Sequence, residues 1–368
     1  MLGIYLHVPF CASKCPYCDF YSLVGTTDED KDRYTAALID RLTAWATTLQ
    51  DTADTLYLGG GTPSLLGAHR LAAVITAARR AFAIPDTAEI TLEANPGDDL
   101  TDVFAAFTAV GGNRLSLGVQ AVKDAHLRTL GRRHTVAQVD HTVRLAQQNG
   151  IHNLSLDLML GTSAQTEEDV RTAARRFAEW GATHASAYLL KIEPGTPYAM
   201  NPPALPDDDT AASLYLAAVD AFAANGFAQY EISNFAKPGF ESRHNLKYWL
   251  SDPYLGIGPA AHSFLNGKRF CYPRSVTDFV NGITPLAENP NGTLFPEHSP
   301  AEFAMLRLRL TQGLTETDFK EHFGTPIPKE WRQNAAALPS HLVTTDEHGI
   351  RLSPEGFLVS DAILARIL

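Results

Sequence analysis

Six short, apolar-rich segments, at 4–7, 55–58, 89–94, 114–119, 153–158 and 184–189, are each followed by a loop and then a helical pattern. They recur at roughly 30-residue intervals, which leaves room for a helical crossover between neighbours and makes the strands parallel. Helices are read at 28–49, 67–82, 100–110, 136–149, 167–180 and 207–225 from apolar spacing and end signals, with Asp28 opening the first and Gly150 following the fourth. Parallel strands covered on both faces read as unbroken apolar runs, and three of these do not. Leu115, Leu117 and Val119 alternate with Ser116, Gly118 and Gln120. Leu154, Leu156 and Leu158 alternate with Asn153, Ser155 and Asp157, and Ile90, Leu92 and Ala94 with Glu89, Thr91 and Glu93. Side chains alternate with period two, so each strand has one oily face and one small, polar face. An eight-stranded barrel would fill its interior with branched side chains. A polar interior of small residues points to a wider, incomplete (β/α)6 barrel around a large ligand, so the fold class is α/β.

Three of the chain's four cysteines, Cys11, Cys15 and Cys18, lie in one loop behind the first strand. A disulfide joins thiols in pairs and a structural zinc site wants four ligands, whereas Cys-x3-Cys-x2-Cys supplies three thiolates. Soft thiolates around such a loop suit an iron–sulfur cluster, and a [4Fe-4S] cube on three of them keeps one iron open. The remaining Cys271 stands far away and reads as an ordinary buried thiol. Leu58-Gly59-Gly60-Gly61-Thr62-Pro63 ends the second strand in three glycines, where backbone rather than side chains becomes the contact surface. This is not a phosphate-binding GxGxxG pattern.

The cysteine spacing resembles the signature of the radical S-adenosylmethionine (SAM) superfamily, in which the amino and carboxylate groups of SAM chelate the open iron. The flanks, Tyr5-x-His7-x-Pro9-Phe10-Cys11 and Tyr17-Cys18-Asp19-Phe20, resemble the group that contains oxygen-independent coproporphyrinogen III oxidase and the HemW-type heme chaperones. The resemblance runs over about nine-tenths of the chain. It implies metal ligation by Cys11, Cys15 and Cys18, and SAM contacts from Tyr5, Tyr17, Gly61, Thr62, Pro63, Glu93, Gln120, Arg132, Asp157 and Lys191. Carboxyl ends of barrel strands are where chemistry gathers. Glu93 there can accept hydrogen bonds from ribose hydroxyls, and the Arg132 guanidinium can hold a carboxylate bidentately.

His244-Asn245-x-x-Tyr248-Trp249 resembles a motif associated with heme in the HemW group. A neutral imidazole is a good axial ligand for heme iron and aromatic rings stack on a flat macrocycle, which makes His244 the expected heme ligand, with His7 and His262 as competitors. Two departures from the oxidase favour a chaperone. Phe20 stands where the oxidase motif has a further cysteine, and the chain starts four residues before Tyr5, without the oxidase's N-terminal extension. The expectation is a heme chaperone that hands heme to an acceptor hemoprotein, with loss of coproporphyrinogen oxidase activity and no catalytic residue assigned. The alternative is the oxidase itself, decarboxylating a porphyrinogen propionate by radical chemistry.

A net charge of -11 argues against a duplex nucleic-acid partner. No 18-residue apolar run or basic-then-apolar leader is present, and clustered free thiols fit a reducing, cytoplasmic setting, with peripheral membrane contact left open. The organisation expected is a partial barrel over 1–225, an extension over 226–298 closing one side of it, and a small α+β winged-helix-like unit over 299–368. In this family such a tail covers the substrate side. Without a basic recognition helix it does not read as a DNA-binding module.

Overall fold

The computed structural model describes residues 1–287 and 297–368. The six expected strands are present as β1 (Leu2–Val8), β2 (Ala53–Gly60), β3 (Glu89–Ala94), β4 (Arg114–Gln120), β5 (Asn153–Leu160) and β6 (His184–Leu189). They pair in chain order and all in parallel. Crossover helices begin where the sequence offers caps. Thr27 with Asp30, Thr135 with Gln138 and Thr166 with Asp169 each form a capping box, which satisfies first-turn N–H groups and stabilises a helix start by about 1 kcal/mol.

The sequence alternation maps onto the two faces. Ile90, Leu92, Leu115, Leu117, Leu154 and Leu156 are fully buried against the helices, whereas Glu93, Ser116, Ser155 and Asp157 line an interior cavity. The sheet does not close. Its order is β12-β11-β10-β9-β1-β2-β3-β4-β5-β6-β8-β7, the added strands being β7 (Ala228–Glu231), β8 (Asn234–Ala236), β9 (Tyr254–Ile257), β10 (His262–Leu265), β11 (Lys268–Cys271) and β12 (Leu286–Ala287). The segment expected to close one side of the barrel therefore extends both edges. Strand β8 runs antiparallel to β6, while β9 runs parallel to β1. Within that segment, residues 288–296 lie outside the described residues.

Between those two edge groups the helix Arg243–Trp249 plugs the barrel bottom. The Glu89 carboxylate, at the start of β3, accepts the backbone N–H groups of Arg243 and His244 at 3.1 and 3.0 Å, a favourable place for an anion. Lys247 pairs with Asp54 near the start of β2 at 2.8 Å and donates to the Met1 carbonyl at 3.0 Å.

The C-terminal unit contains a three-stranded sheet, β13 (Leu314–Thr315), β15 (Gly349–Leu352) and β14 (Val343–Asp346), flanked by helices. Ile232 N–H donates to the Arg309 carbonyl, Thr311 N–H to the Tyr230 carbonyl, and Arg307 Nη1 to the Trp249 carbonyl. These contacts fix the unit against β7 and the bottom helix, and among the described residues none beyond Asn245 lines the cavity. The unit thereby braces the plug. No helix among the described residues is long and apolar enough to cross a membrane.

Candidate functional site

At the carboxyl ends of the parallel strands the cysteine loop forms one wall of a cavity of about 750 Å³, a size suited to small-molecule and cofactor ligands. Cys11, Cys15 and Cys18 all line it, and all are free thiols. Burial pushes the Cys18 thiol up, which favours keeping a proton until a metal replaces it. Among the described residues no three His, Cys, Asp or Glu side chains close on a single ion. A four-iron cube takes its thiolates on separate irons, so thiols spread around a loop suit a cluster better than a mononuclear site.

The loop is held from behind. His7 bridges the Tyr5 hydroxyl at 3.1 Å on Nδ1 and the Tyr21 carbonyl at 2.8 Å on Nε2. Burial keeps this imidazole neutral, and with both ring nitrogens engaged it serves as a brace for the loop. The triple glycine packs against the same loop: Gly61 N–H donates to the Val8 carbonyl and Thr62 N–H to the Phe10 carbonyl, at 2.8 and 2.7 Å. At Gly60, φ is +112° and a Cβ would lie 2.6 Å from the His7 ring; at Gly61 a Cβ would lie 2.7 Å from the Phe10 carbonyl. Only glycine allows this approach.

A second line of contacts ties the strand ends to the thiols. Cys11 Sγ lies 3.7 Å from Thr62 Oγ1, which accepts a hydrogen bond from Asn95 Nδ2 at 2.9 Å. Arg132 donates to Asn95 Oδ1, to the Gly118 carbonyl at 2.8 Å and to Cys15 Sγ at 3.4 Å. One guanidinium thereby spans β3, β4 and the cysteine loop, and places positive charge beside thiolates that carry negative charge when ligating. Gln120 ends β4 at a register shift with φ +65°, and its Oε1 is buried without a partner among the described residues. A non-glycine residue in that region, aimed into a cavity, marks a site where ligand contact outweighs backbone comfort.

Below this rim lie the acids. The Tyr57 hydroxyl donates to Glu93 Oε1 at 2.7 Å and the Gly60 N–H to Oε2 at 3.1 Å. Burial, only partly offset by these bonds, raises Glu93 to about 7. Asp157, which accepts from Ser116 at 3.4 Å, is raised to about 6, again chiefly by burial. Polar groups held so far from their ordinary ionisation are characteristic of ligand sites.

Of the residues expected from sequence, the cavity brings together Cys11, Cys15, Cys18, Tyr17, Gly61, Thr62, Glu93, Gln120, Arg132, Asp157 and Lys191. Lys191 stands at the mouth, its side chain 80% exposed and paired with Glu193 at 3.0 Å. Tyr5 and Pro63 are absent from the lining: Tyr5 supports His7 from behind the wall, and Pro63 opens a buried helical turn. His244 also lies outside the lining. It is fully buried in the bottom helix, its Nδ1 is 2.8 Å from Thr55 Oγ1 and its Nε2 is 2.8 Å from the Tyr248 hydroxyl. Both ring nitrogens are engaged and the imidazole does not line the cavity, so the structure places it as a packed part of the plug. Sequence reasoning missed Asn95, Tyr57 and Arg114. Arg114 shares the period-two face of Ser116, Gly118 and Gln120, so extending that face one step would have found it.

Comparison with known proteins agrees with this geometry. The model of the radical SAM superfamily matches residues 5–177, and that of the HemN C-terminal domain matches residues 294–359. The heme chaperone HemW of Haemophilus influenzae is 32% identical over 378 residues, spanning 100% of this chain and 98% of its own length. HemW of Mycobacterium tuberculosis is 35% identical over 383 residues, spanning 100% of this chain and 94% of its own length. The structure of Escherichia coli coproporphyrinogen III oxidase (HemN), described as a radical SAM enzyme, covers 100% of this chain and 89% of that one with a TM-score of 0.83 at 20% identity, which shows a common fold. The chain belongs to the HemW-like group of the radical SAM superfamily.

Proposed function

We propose that this protein is a heme chaperone: it binds heme and passes it to an acceptor hemoprotein, and it carries a [4Fe-4S] cluster on Cys11, Cys15 and Cys18. The observation that carries this reading is full-length relatedness to several proteins named heme chaperone HemW, with both chains covered almost end to end. Within the cavity, Phe20, Tyr188 and Leu189 line the mouth with 67%, 40% and 38% of their surface exposed, an apolar rim suited to the face of a flat macrocycle. Phe20 stands at the position that resembles a cysteine in the oxidase motif. SAM is the expected second cofactor, with Glu93, Gln120, Arg132 and Asp157 available to hold its polar groups. When bound, the cluster supplies an open iron and a source of single electrons. The chain's own residues hold the loop, keep Arg132 charged beside the thiolates and shield the acids from bulk water. Free thiols of this kind persist in a reducing compartment, which fits a cytoplasmic protein.

The test is a heme titration of anaerobically reconstituted protein, with and without SAM, followed by mixing the loaded protein with an apo-hemoprotein. Saturable binding with a Soret shift and movement of heme to the acceptor is the expected result. Absence of heme binding, together with carbon dioxide release from coproporphyrinogen III in the presence of SAM, overturns it in favour of oxidase activity.

A further inference from the structure

The cavity floor holds a cation that the reading above does not use. Arg114 begins β4, has 1% of its surface exposed and lines the cavity. Its Nε and Nη1 are buried without a hydrogen-bond partner among the described residues. The acids that share the space hydrogen-bond elsewhere, Glu93 with Tyr57 and Gly60 and Asp157 with Ser116, and reach Arg114 through their field alone. Burial also raises both toward neutrality, to about 7 and about 6, so they offset the cation incompletely. A guanidinium does not give up its proton. Burying it without a contacting anion costs several kcal/mol, and a fold that retains such a group is built to receive one.

We propose that Arg114 anchors a carboxylate of the ligand at the cavity floor, the chemical class being a propionate-bearing tetrapyrrole. Two parallel N–H donors of one guanidinium match the two oxygens of a carboxylate, a pairing stronger and more directional than a single hydrogen bond. Asn245 from the bottom helix and Ser155 from β5 line the same cavity and supply further polar partners. A carboxylate could also come from the methionyl end of SAM. Depth argues against that source. The thiols and Arg132 mark the cluster end, and the Arg114 backbone starts the strand that Gln120 finishes, about 20 Å along it at roughly 3.3 Å per residue, with Asp157 between the two arginines and in the field of both. The anion that reaches Arg114 therefore belongs to the ligand below the cluster, and this identification rests on the heme reading.

The experiment compares wild type with Arg114→Met and Arg114→Lys, using heme, heme dimethyl ester and SAM as separate probes. Replacing a buried charge by an apolar side chain of similar length is often neutral or stabilising, so Arg114→Met is expected to fold, which its Tm checks. Wild type is expected to bind free-acid heme about tenfold or more tighter than the dimethyl ester, the worth of one charged hydrogen-bonded pair. Arg114→Met is expected to bind the two forms alike, Arg114→Lys to recover part of the preference, and SAM affinity to stay unchanged in both. Retention of the free-acid preference in Arg114→Met overturns the proposal, as does a loss that falls on SAM instead of heme. A lowered Tm with unaltered preference assigns Arg114 to structure alone and also overturns it. If wild type binds neither form of heme, the chaperone reading fails, and sodium propionate then decides the anion site. A Tm rise with propionate in wild type that is absent in Arg114→Met supports the site, and equal behaviour of the two proteins overturns it.

Discussion

Replacing Glu93 by Gln tests whether the cavity holds its acids at an energetic cost. The Glu93 carboxyl rises from 4.5 to about 7 because it is enclosed, with the nearby Asp157 adding to the rise. In the unfolded chain it loses its proton near 4.5 and in the folded chain near 7. Between these values the folded state holds the extra proton, so stability falls as pH climbs through the window. At 1.36 kcal/mol per pH unit the full loss is about 3 kcal/mol, and water in the cavity reduces it to about 2–3 kcal/mol. Glutamine stays neutral throughout. Its oxygen can accept from Gly60 N–H and its amide can donate to the Tyr57 oxygen, so neither partner is left unsatisfied. Glu93→Gln is therefore expected to match wild type at about pH 4, below the unfolded-state value, and to exceed it by about 2–3 kcal/mol at about pH 8 in the absence of SAM. Urea denaturation at a series of pH values measures this; at an m-value of about 3 kcal/mol/M the midpoint gains nearly 1 M at the alkaline end. Because Asp157 adds to the rise at Glu93, adding Asp157→Asn should yield less than the sum of the single effects. A stability difference between Glu93→Gln and wild type that does not change with pH would refute the reasoning.

Three further outcomes follow from the placement of side chains. Serine at Cys11, Cys15 or Cys18 should abolish the visible absorbance of the reconstituted cluster, and serine at Cys271 should preserve it; cluster retention in any of the first three contradicts the ligand set. His244→Ala should cost about 2–4 kcal/mol through lost packing and the stranded hydroxyls of Thr55 and Tyr248, while the folded protein keeps its heme-induced Soret shift. Unaltered stability with a vanished Soret shift would restore His244 as the iron ligand. Lys191→Ala, removing an exposed side chain paired only with Glu193, should leave SAM affinity within about twofold, since exposed pairs of this kind contribute little. A tenfold loss in calorimetric titration would show that the mouth closes on SAM.

Much of the barrel was legible in the sequence because two periodicities are both strong there. Helical crossovers set the interval between strands, and the alternation of Leu115, Leu117 and Val119 with Ser116, Gly118 and Gln120 announced an enclosed polar face. The thiol loop was legible from spacing alone. The strands β7 to β12 were not, because they run only two to four residues each, too short to display a period. The side on which the C-terminal unit docks depends on backbone pairing between Ile232 and Arg309 and between Tyr230 and Thr311, which leaves no mark in side-chain pattern. The packing of His244 was not legible for a chemical reason: a histidine among Tyr and Trp suits both a heme pocket and a packed plug, and its Thr55 partner lies far away in the sequence. Arg114 was passed over as the first residue of a strand, although its parity with Ser116 placed it inside.

The measurement that bears most directly on the whole account is Mössbauer and electron paramagnetic resonance spectroscopy of anaerobically reconstituted protein before and after SAM is added. The account requires a [4Fe-4S] cube with one iron distinct from the other three, and a reduced-state signal that changes when SAM arrives. A protein that assembles no cube, or one whose four irons are alike and whose spectrum ignores SAM, contradicts it.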